Sequence, residues 1–226
     1  MEQSERLSAI RSMPIIIMAA MALVSFSNIA GFPWVSAAII LGIIFFFVIN
    51  AMERIPASES GLDIKSLGLG LKDSKIWIWL LLPIVMDAVC ITLAVLFLPG
   101  YIEHESLRAG SFVPIELSLS STLLFLVFAL GEEIAWRAFF QNRLSKMLPV
   151  IPAILITSFL FTLGHFSQVD LSIVLFGLVF TFINSVLYGV IFQKTRNAWV
   201  SAAAHFAANI LEAAVFVLIS NGSITG

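Results

Sequence analysis

The amino-acid sequence predicts an all-α protein, a polytopic bundle of about seven transmembrane helices. Of the 226 residues, 60% are hydrophobic and only 12% are charged, whereas soluble domains carry about 25% charged residues. Apolar runs of about 20 residues, the length that crosses a bilayer, recur along the chain. The formal net charge of −2 argues neither for nor against nucleic acid, but no basic cluster of binding density occurs. The predicted surroundings are therefore a lipid bilayer, without a nucleic-acid partner.

The spans follow one another in order. The first begins after a polar N-terminus and is interpreted as an uncleaved span, because no small-residue cleavage site precedes a polar region. A tight turn at Gly31-Phe32-Pro33 separates the first two spans, and longer polar connections lie at 52–75 and 99–116. The predicted spans are 13–30, 34–51, 76–98, 117–140, 148–166, 171–192 and 198–219.

Basic residues predict the orientation, because cytoplasmic loops are enriched in Lys and Arg. With the N-terminus inside and the C-terminus outside, only Arg108 lies in an outside segment, and Arg137 lies within a span. The other ten Lys and Arg fall inside: Arg6, Arg11, Arg54, Lys65, Lys72, Lys75, Arg143, Lys146, Lys194 and Arg196.

The fourth predicted span carries two adjacent carboxylates and an arginine, Glu132, Glu133 and Arg137. A charge near the bilayer centre costs about 2.5–3.5 kcal/mol, so these side chains must pair or face a polar cavity. Residues four apart share a helix face, so Glu133 and Arg137 are expected to form an ion pair. Glu132 points about 100° away and is expected to face a cavity as a general base. The alternative, a salt-bridge cluster that only locks the helices, leaves Glu132 unexplained.

Two later spans carry polar groups of complementary chemistry. His165 follows Phe161 by four residues, and a lone histidine on an apolar helix is usually a packing residue. His205 and Asn209 share one face of the last span and offer donors for an oxyanion, or else hydrogen bonds between helices. Glu212 faces nearly the same way as His205, and either supports the imidazole or lies nearer the outer interface. Together, an acid, two histidines and an amide on three spans favour one site.

Three motifs in the second half of the chain together resemble those of a known family. The family is the CPBP (CAAX protease and bacteriocin-processing) intramembrane proteases, also called the Abi family, which includes the type II CAAX prenyl endopeptidases. The chain then divides into spans one to three (1–114), a catalytic core (115–219) and a short tail (220–226). The motifs are Glu132-Glu133-x-x-x-Arg137, Phe161-x-x-x-His165 and His205-x-x-x-Asn209.

The resemblance implies hydrolysis of a peptide bond within the membrane. By it, Glu132 activates a water molecule, and His165 positions that water or shares its proton. His205 and Asn209 would stabilise the oxyanion, and Arg137 would hold the acidic pair in register. The implied partner is a membrane-associated protein or peptide substrate. The implied location is the cytoplasmic (inner) membrane of a prokaryote.

Metal use is the main ambiguity in this mechanism. Glu132, His165 and His205 also match the ligand set of a catalytic zinc ion with one open position. The compact His-Glu-x-x-His spacing is absent, however. We favour a metal-independent reaction without a cofactor, with zinc as the alternative.

The depth of His165 does not match that of the other site residues. At 1.5 Å per residue, Glu132 lies roughly 16 Å from Arg143, whereas His165 lies about 24 Å along its span. A tilt, a deeper start of that span, or a re-entrant link at 167–170 is needed to bring His165 level with Glu132.

Two other functions fit the same residues. One is a non-catalytic membrane protein of this fold, such as an immunity factor or scaffold. The other is an ion or solute transporter that uses Glu132, Glu133 and Glu212, although no internal repeat supports it. The residues indicate neither the substrate, nor its lipidation, nor an oligomeric state.

Overall fold

The structure is a computed structural model that describes residues 2–32, 34–116 and 118–220. Within these ranges every regular element is helical, so the predicted all-α class is confirmed. A 3₁₀ turn lies at Ala57–Glu59. The other elements are α1 (Glu2–Ser27), α2 (Val35–Met52), α3 (Ile64–Gly70), α4 (Ser74–Phe97), α5 (Pro99–Gly110), α6 (Leu119–Glu133), a π-helical segment (Ile134–Gln141), α7 (Asn142–Leu144), α8 (Val150–Leu163), α9 (Leu171–Thr195) and α10 (Ala198–Ser220).

Helices long and apolar enough to cross a membrane occur at three of the predicted spans, which makes this a membrane protein. They are Ser74–Phe97, Leu171–Thr195 and Ala198–Ile219. Shorter apolar helices lie at Ser12–Ser27, Ser36–Met52 and Val150–Leu163. With 14 residues, α8 extends about 21 Å, less than the ~30 Å hydrocarbon core. Seven spans and their orientation therefore stay predictions.

The fourth predicted span is a continuous helical rod whose hydrogen bonding changes midway. Ser118 caps its N-terminus by accepting a hydrogen bond from the Ser121 amide. After Glu133 the rod becomes π-helical, and all eight residues of that segment are buried. Gly42 of α2 permits close packing there, since a Cβ at that position would lie 2.5 Å from the Ala135 Cβ. The π-helical half of the rod is thus buried within the bundle, whereas α6 keeps exposed side chains such as Leu123 and Val127.

The remaining helices pack around this rod. α10 packs along α6 and α4, while α9 packs against α8 and α4. The N-terminal pair α1 and α2 covers α8 and the π segment. This packing brings the end of α6, the turn after α8 and the middle of α10 to one place in the bundle.

Two predicted connections contain helices of their own. The one at 52–75 holds α3. The one at 99–116 holds α5, which buries Tyr101 and Ile102 against the bundle. The predicted turn at Gly31 is present, with a φ of +85° that favours glycine. Pro33, the predicted span start Leu117 and tail residues 221–226 lie outside the described residues, and the predicted domain division stays a prediction.

Candidate active site

A cavity of about 170 Å³ opens at the place where α6, the turn after α8 and α10 meet. Its polar wall contains the predicted site residues together with one arginine from α5: Glu132, His165, His205, Asn209, Glu212 and Arg108. Its other wall is apolar and includes Ile39, Phe112, Val113, Phe125, Phe128 and Phe216. The structure therefore places reactive groups beside a surface suited to an apolar chain.

The two adjacent glutamates at the end of α6 have different surroundings. Glu133 is fully buried, and its Oε2 lies 3.3 Å from Nε of the equally buried Arg137. The Glu132 side chain is 19% exposed and lines the cavity. The predicted division between a paired and an available carboxylate is thus present in the geometry.

Arg137 connects the rod to two neighbouring helices. Its Nη2 donates to Ser185 Oγ of α9 at 3.0 Å. Its guanidinium lies 5.2 Å from the ring centroid of Phe161 in α8, a cation–π distance. Because a buried charge is costly unless it is paired, Glu133 and Arg137 hold each other in place.

The imidazole of His205 lies between the two glutamates. Its Nδ1 is 3.2 Å from Glu133 Oε1, within hydrogen-bond distance. Its Nε2 is 3.6 Å from Glu132 Oε2, beyond that distance. The ring stacks on Tyr188 with centroids 4.5 Å apart. The buried carboxylate of Glu133 therefore orients the imidazole, and Nε2 faces Glu132.

His165 lies just beyond the end of α8. Its Nδ1 is 3.1 Å from the Phe161 carbonyl, and its ring centroid is 4.7 Å from that of Phe161. A carbonyl only accepts, so Nδ1 carries the proton and Nε2 is left as the acceptor. His165 and Glu132 line the same cavity, although residue counting predicted different depths. α8 ends at Leu163, and a turn carries the histidine.

Asn209 and Glu212 line the cavity on the same side as His205, as their spacing predicted. Among the described residues, the carboxylates within ion-pair distance of His205 are Glu132 and Glu133. The imidazole is therefore held by Glu133, and the alternative in which Glu212 supports it is not favoured.

A second cavity, of about 90 Å³, lies behind the two histidines and contains groups that sequence reasoning missed. Asp87 of α4 is 5% exposed and accepts a hydrogen bond from Asn184 of α9. Tyr188 lines the same space. A lone acid in an apolar span is a signal of the same kind as Glu132, so Asp87 was open to detection.

α5 also contributes to the site. Arg108 lines both cavities and forms an ion pair with Glu105. Burial disfavours the charge of Arg108, but the neighbouring Glu105 carboxylate outweighs this effect and raises the pKa of Arg108 above its ordinary value. The cavity wall therefore carries a permanent cation. The amphipathic helix α5, which carries Arg108, was predicted only as a polar connection.

The described residues do not fit the zinc alternative. Nowhere in residues 2–32, 34–116 and 118–220 do three His, Cys, Asp or Glu side chains lie close enough to hold one metal ion. Glu132 and the Nε2 of His205 are brought together, but His165 only shares their cavity.

Comparison with known proteins agrees with the motifs. Residues 114–211 match the family model described as type II CAAX prenyl endopeptidase Rce1-like. Residues 114–211 belong to the CPBP/CAAX protease family. The match includes Glu132, His165, His205 and Asn209, and it confirms the membership that the three motifs predicted. No curated protein and no solved structure matches the chain.

Proposed function

We propose that this protein is an intramembrane endopeptidase that hydrolyses a peptide bond of a membrane-associated protein or peptide. The observation that carries the proposal is the position of Glu132. It is the available carboxylate of the pair, it lies beside His205, and it shares a cavity with His165 and Asn209. A family of proteases supplies the reaction class.

In the proposed reaction, Glu132 takes a proton from a water molecule in the cavity. The hydroxide attacks the carbonyl carbon of the peptide bond, and the negative charge moves to the carbonyl oxygen. His205, protonated on both ring nitrogens between the two glutamates, donates from Nε2 to that oxyanion, and the side-chain N–H of Asn209 donates beside it. The C–N bond then breaks, and Glu132 returns the proton to the leaving amine. His165, whose Nε2 is an acceptor, holds the water on the side facing Glu132.

No metal ion takes part in this proposal, because the site residues do not converge as metal ligands. We expect a chelator such as 1,10-phenanthroline to leave the activity of the purified enzyme unchanged, after subtraction of its effect on a zinc protease control. Loss of activity that added zinc restores would favour the metal-dependent alternative.

Peptidomics of membranes tests the function directly. We expect peptides present with the wild-type protein to disappear with Glu132→Gln, which keeps the shape of the side chain but removes the base. With the purified protein, the rate should fall about 10²- to 10⁴-fold. Glu59→Gln, an exposed substitution distant from the cavity, is the matched control and should cleave like the wild type. Unchanged cleavage by the purified Glu132→Gln protein would refute Glu132 as the general base. Absence of cleavage by the purified wild type would support the non-catalytic alternative.

We also propose that the enzyme lies in the cytoplasmic membrane of a prokaryote, with seven spans and its N-terminus inside. The Lys and Arg distribution supports this orientation. Reporter fusions after Arg54 and Arg108 should then report inside and outside, respectively, and the same location for both would refute the topology.

A further inference from the structure

The turn that carries His165 is held by a side chain from the N-terminal part of the chain. Asn28, which follows α1, is 8% exposed. Its Nδ2 donates to the carbonyls of Gly164 at 2.7 Å and Phe166 at 2.9 Å. The Leu163 carbonyl lies at 3.5 Å from the same atom. Asn28 therefore bonds the backbone on both sides of His165.

The last carbonyls of α8 accept from backbone amides of the turn that follows. The carbonyls of that turn have no helical partner, and water is scarce within a membrane protein, so another group of the protein must donate to them. Asn28 meets this need at Gly164 and Phe166. Because all three neighbouring oxygens are carbonyls and only accept, the amide must present its NH₂ group to them.

The orientation of the His165 side chain depends on this backbone. The ring is fixed at Nδ1 by the Phe161 carbonyl, 3.1 Å away. The residues before and after it are fixed by Asn28. A further contact, between Ser167 Oγ and His104 Nε2 at 3.0 Å, joins the same turn to α5. The direction in which Nε2 of His165 points is thus set by Phe161 of its own motif together with Asn28 and His104, which lie outside the motifs.

We propose that Asn28 is a positioning residue that aims His165 into the cavity that Glu132 lines. This inference rests on the proposed hydrolytic function. Asn28 lies outside residues 114–211, the part of the chain that matches the protease family. The N-terminal helices, for which the sequence indicated no role in chemistry, therefore complete the site.

A double-mutant cycle in the full-length protein tests the inference. Asn28→Leu keeps the branched shape and removes both donors. We expect kcat to fall about 10- to 100-fold, as for a small displacement of a catalytic group, with KM unchanged. In a His165→Ala background, Asn28→Leu should cause no further loss, because the group that it positions is gone.

Ser25→Ala is the matched control. Ser25 lies on α1, is fully buried and donates to the Met21 carbonyl at 3.1 Å, so its loss removes one buried hydrogen bond of the same region. It should leave kcat unchanged. An Asn28→Leu effect that is absent, or that multiplies with His165→Ala, would overturn the inference. If Asn28→Leu does not fold, Asn28→Ser, which keeps one donor, is measured in the same cycle. We then expect an intermediate loss of kcat when His165 is present and no further loss in the His165→Ala background.

The imidazole ¹⁵N spectrum provides a measurement independent of activity. The chain has three histidines, so single substitutions assign each ring. We expect His165 to be protonated at Nδ1 in the wild type and to become a mixture of tautomers in Asn28→Leu. If the wild-type protein cleaves no peptide, the proposed function is refuted, but the positioning of His165 by Asn28 is not. If the His165 spectrum is unchanged in Asn28→Leu, the positioning role is refuted.

Discussion

The two sides of the last turn of α6 place neighbouring carboxylates in opposite surroundings. On the sealed side, Glu133 is fully buried and contacts Arg137 and His205. On the open side, Glu132 lines the cavity, and its nearest ionic contact, His205 Nε2, is beyond hydrogen-bond distance. The two adjacent glutamates thus differ in their contacts, because Glu133 faces packed helices and Glu132 faces the cavity.

This difference separates structural support from chemistry. A carboxylate that is fully buried between a cation and an imidazole is not available to a water molecule. A carboxylate without such partners is available, provided that a neighbour orients it. His205 joins the two sides, since one ring nitrogen contacts each carboxylate. The comparison predicts that stability depends on the sealed side and turnover on the open side.

Breaking the sealed side should have the largest effect on stability. Glu133→Gln leaves the Arg137 charge buried without a counter-ion, which should cost about 3–5 kcal/mol. We expect much lower yield and a lower unfolding temperature in detergent. Glu132→Gln should unfold within about 1 kcal/mol of the wild type. Equal stability of Glu133→Gln and wild type would break the comparison.

Removing both partners of the sealed pair should restore part of the loss. In the double variant Glu133→Gln with Arg137→Leu, no unpaired charge remains, so the two changes should be less harmful together than their sum. We expect a coupling of about 1–3 kcal/mol in a thermal or denaturant unfolding cycle. Strictly additive losses would show that Glu133 and Arg137 do not act as a pair.

The stacking of His205 on Tyr188 allows a smaller test at the boundary between the two sides. Tyr188→Leu should remove an aromatic contact worth about 0.5–1.5 kcal/mol and lower kcat by about 2- to 10-fold. Tyr188→Phe keeps the ring and serves as the control. A larger loss in the Phe variant than in the Leu variant would assign the effect to the hydroxyl instead.

The ion pair between Arg143 and Glu53 should show the smallest effect. Its side chains are partly exposed, with a contact of 2.7 Å, so water screens the interaction. We expect Glu53→Gln to cost at most about 1 kcal/mol and to leave peptide cleavage unchanged. A loss as large as that of Glu133→Gln would mean that burial does not decide the importance of these pairs.

The sequence predicted the local relations of the site well, since helical spacing determines them. Glu133 and Arg137 lie four apart and do form a pair, and Glu132 does face away from it. His205 and Asn209 do line one surface. The family motifs were sufficient to predict the protease family that residues 114–211 match.

Relations that depend on tertiary packing were not predicted. The change to π-helix at Ile134 was not predicted, because no pattern in those eight residues distinguishes it from α-helix. The end of α8 at Leu163, two residues before His165, was not predicted either. Asn28 meets its partners more than 130 positions along the chain, so its role was visible only in three dimensions.

The π segment has a consequence for how this rod tolerates insertions and deletions. A helix closed by i to i+5 hydrogen bonds turns less per residue than one closed by i to i+4 bonds. The eight residues after Glu133 therefore determine the rotational phase between the glutamates and the helix that follows. Deleting one residue there is expected to rewind the segment toward α-helical geometry and rotate Glu132 out of register with His205. The length of this segment, rather than only its composition, would then be under selection.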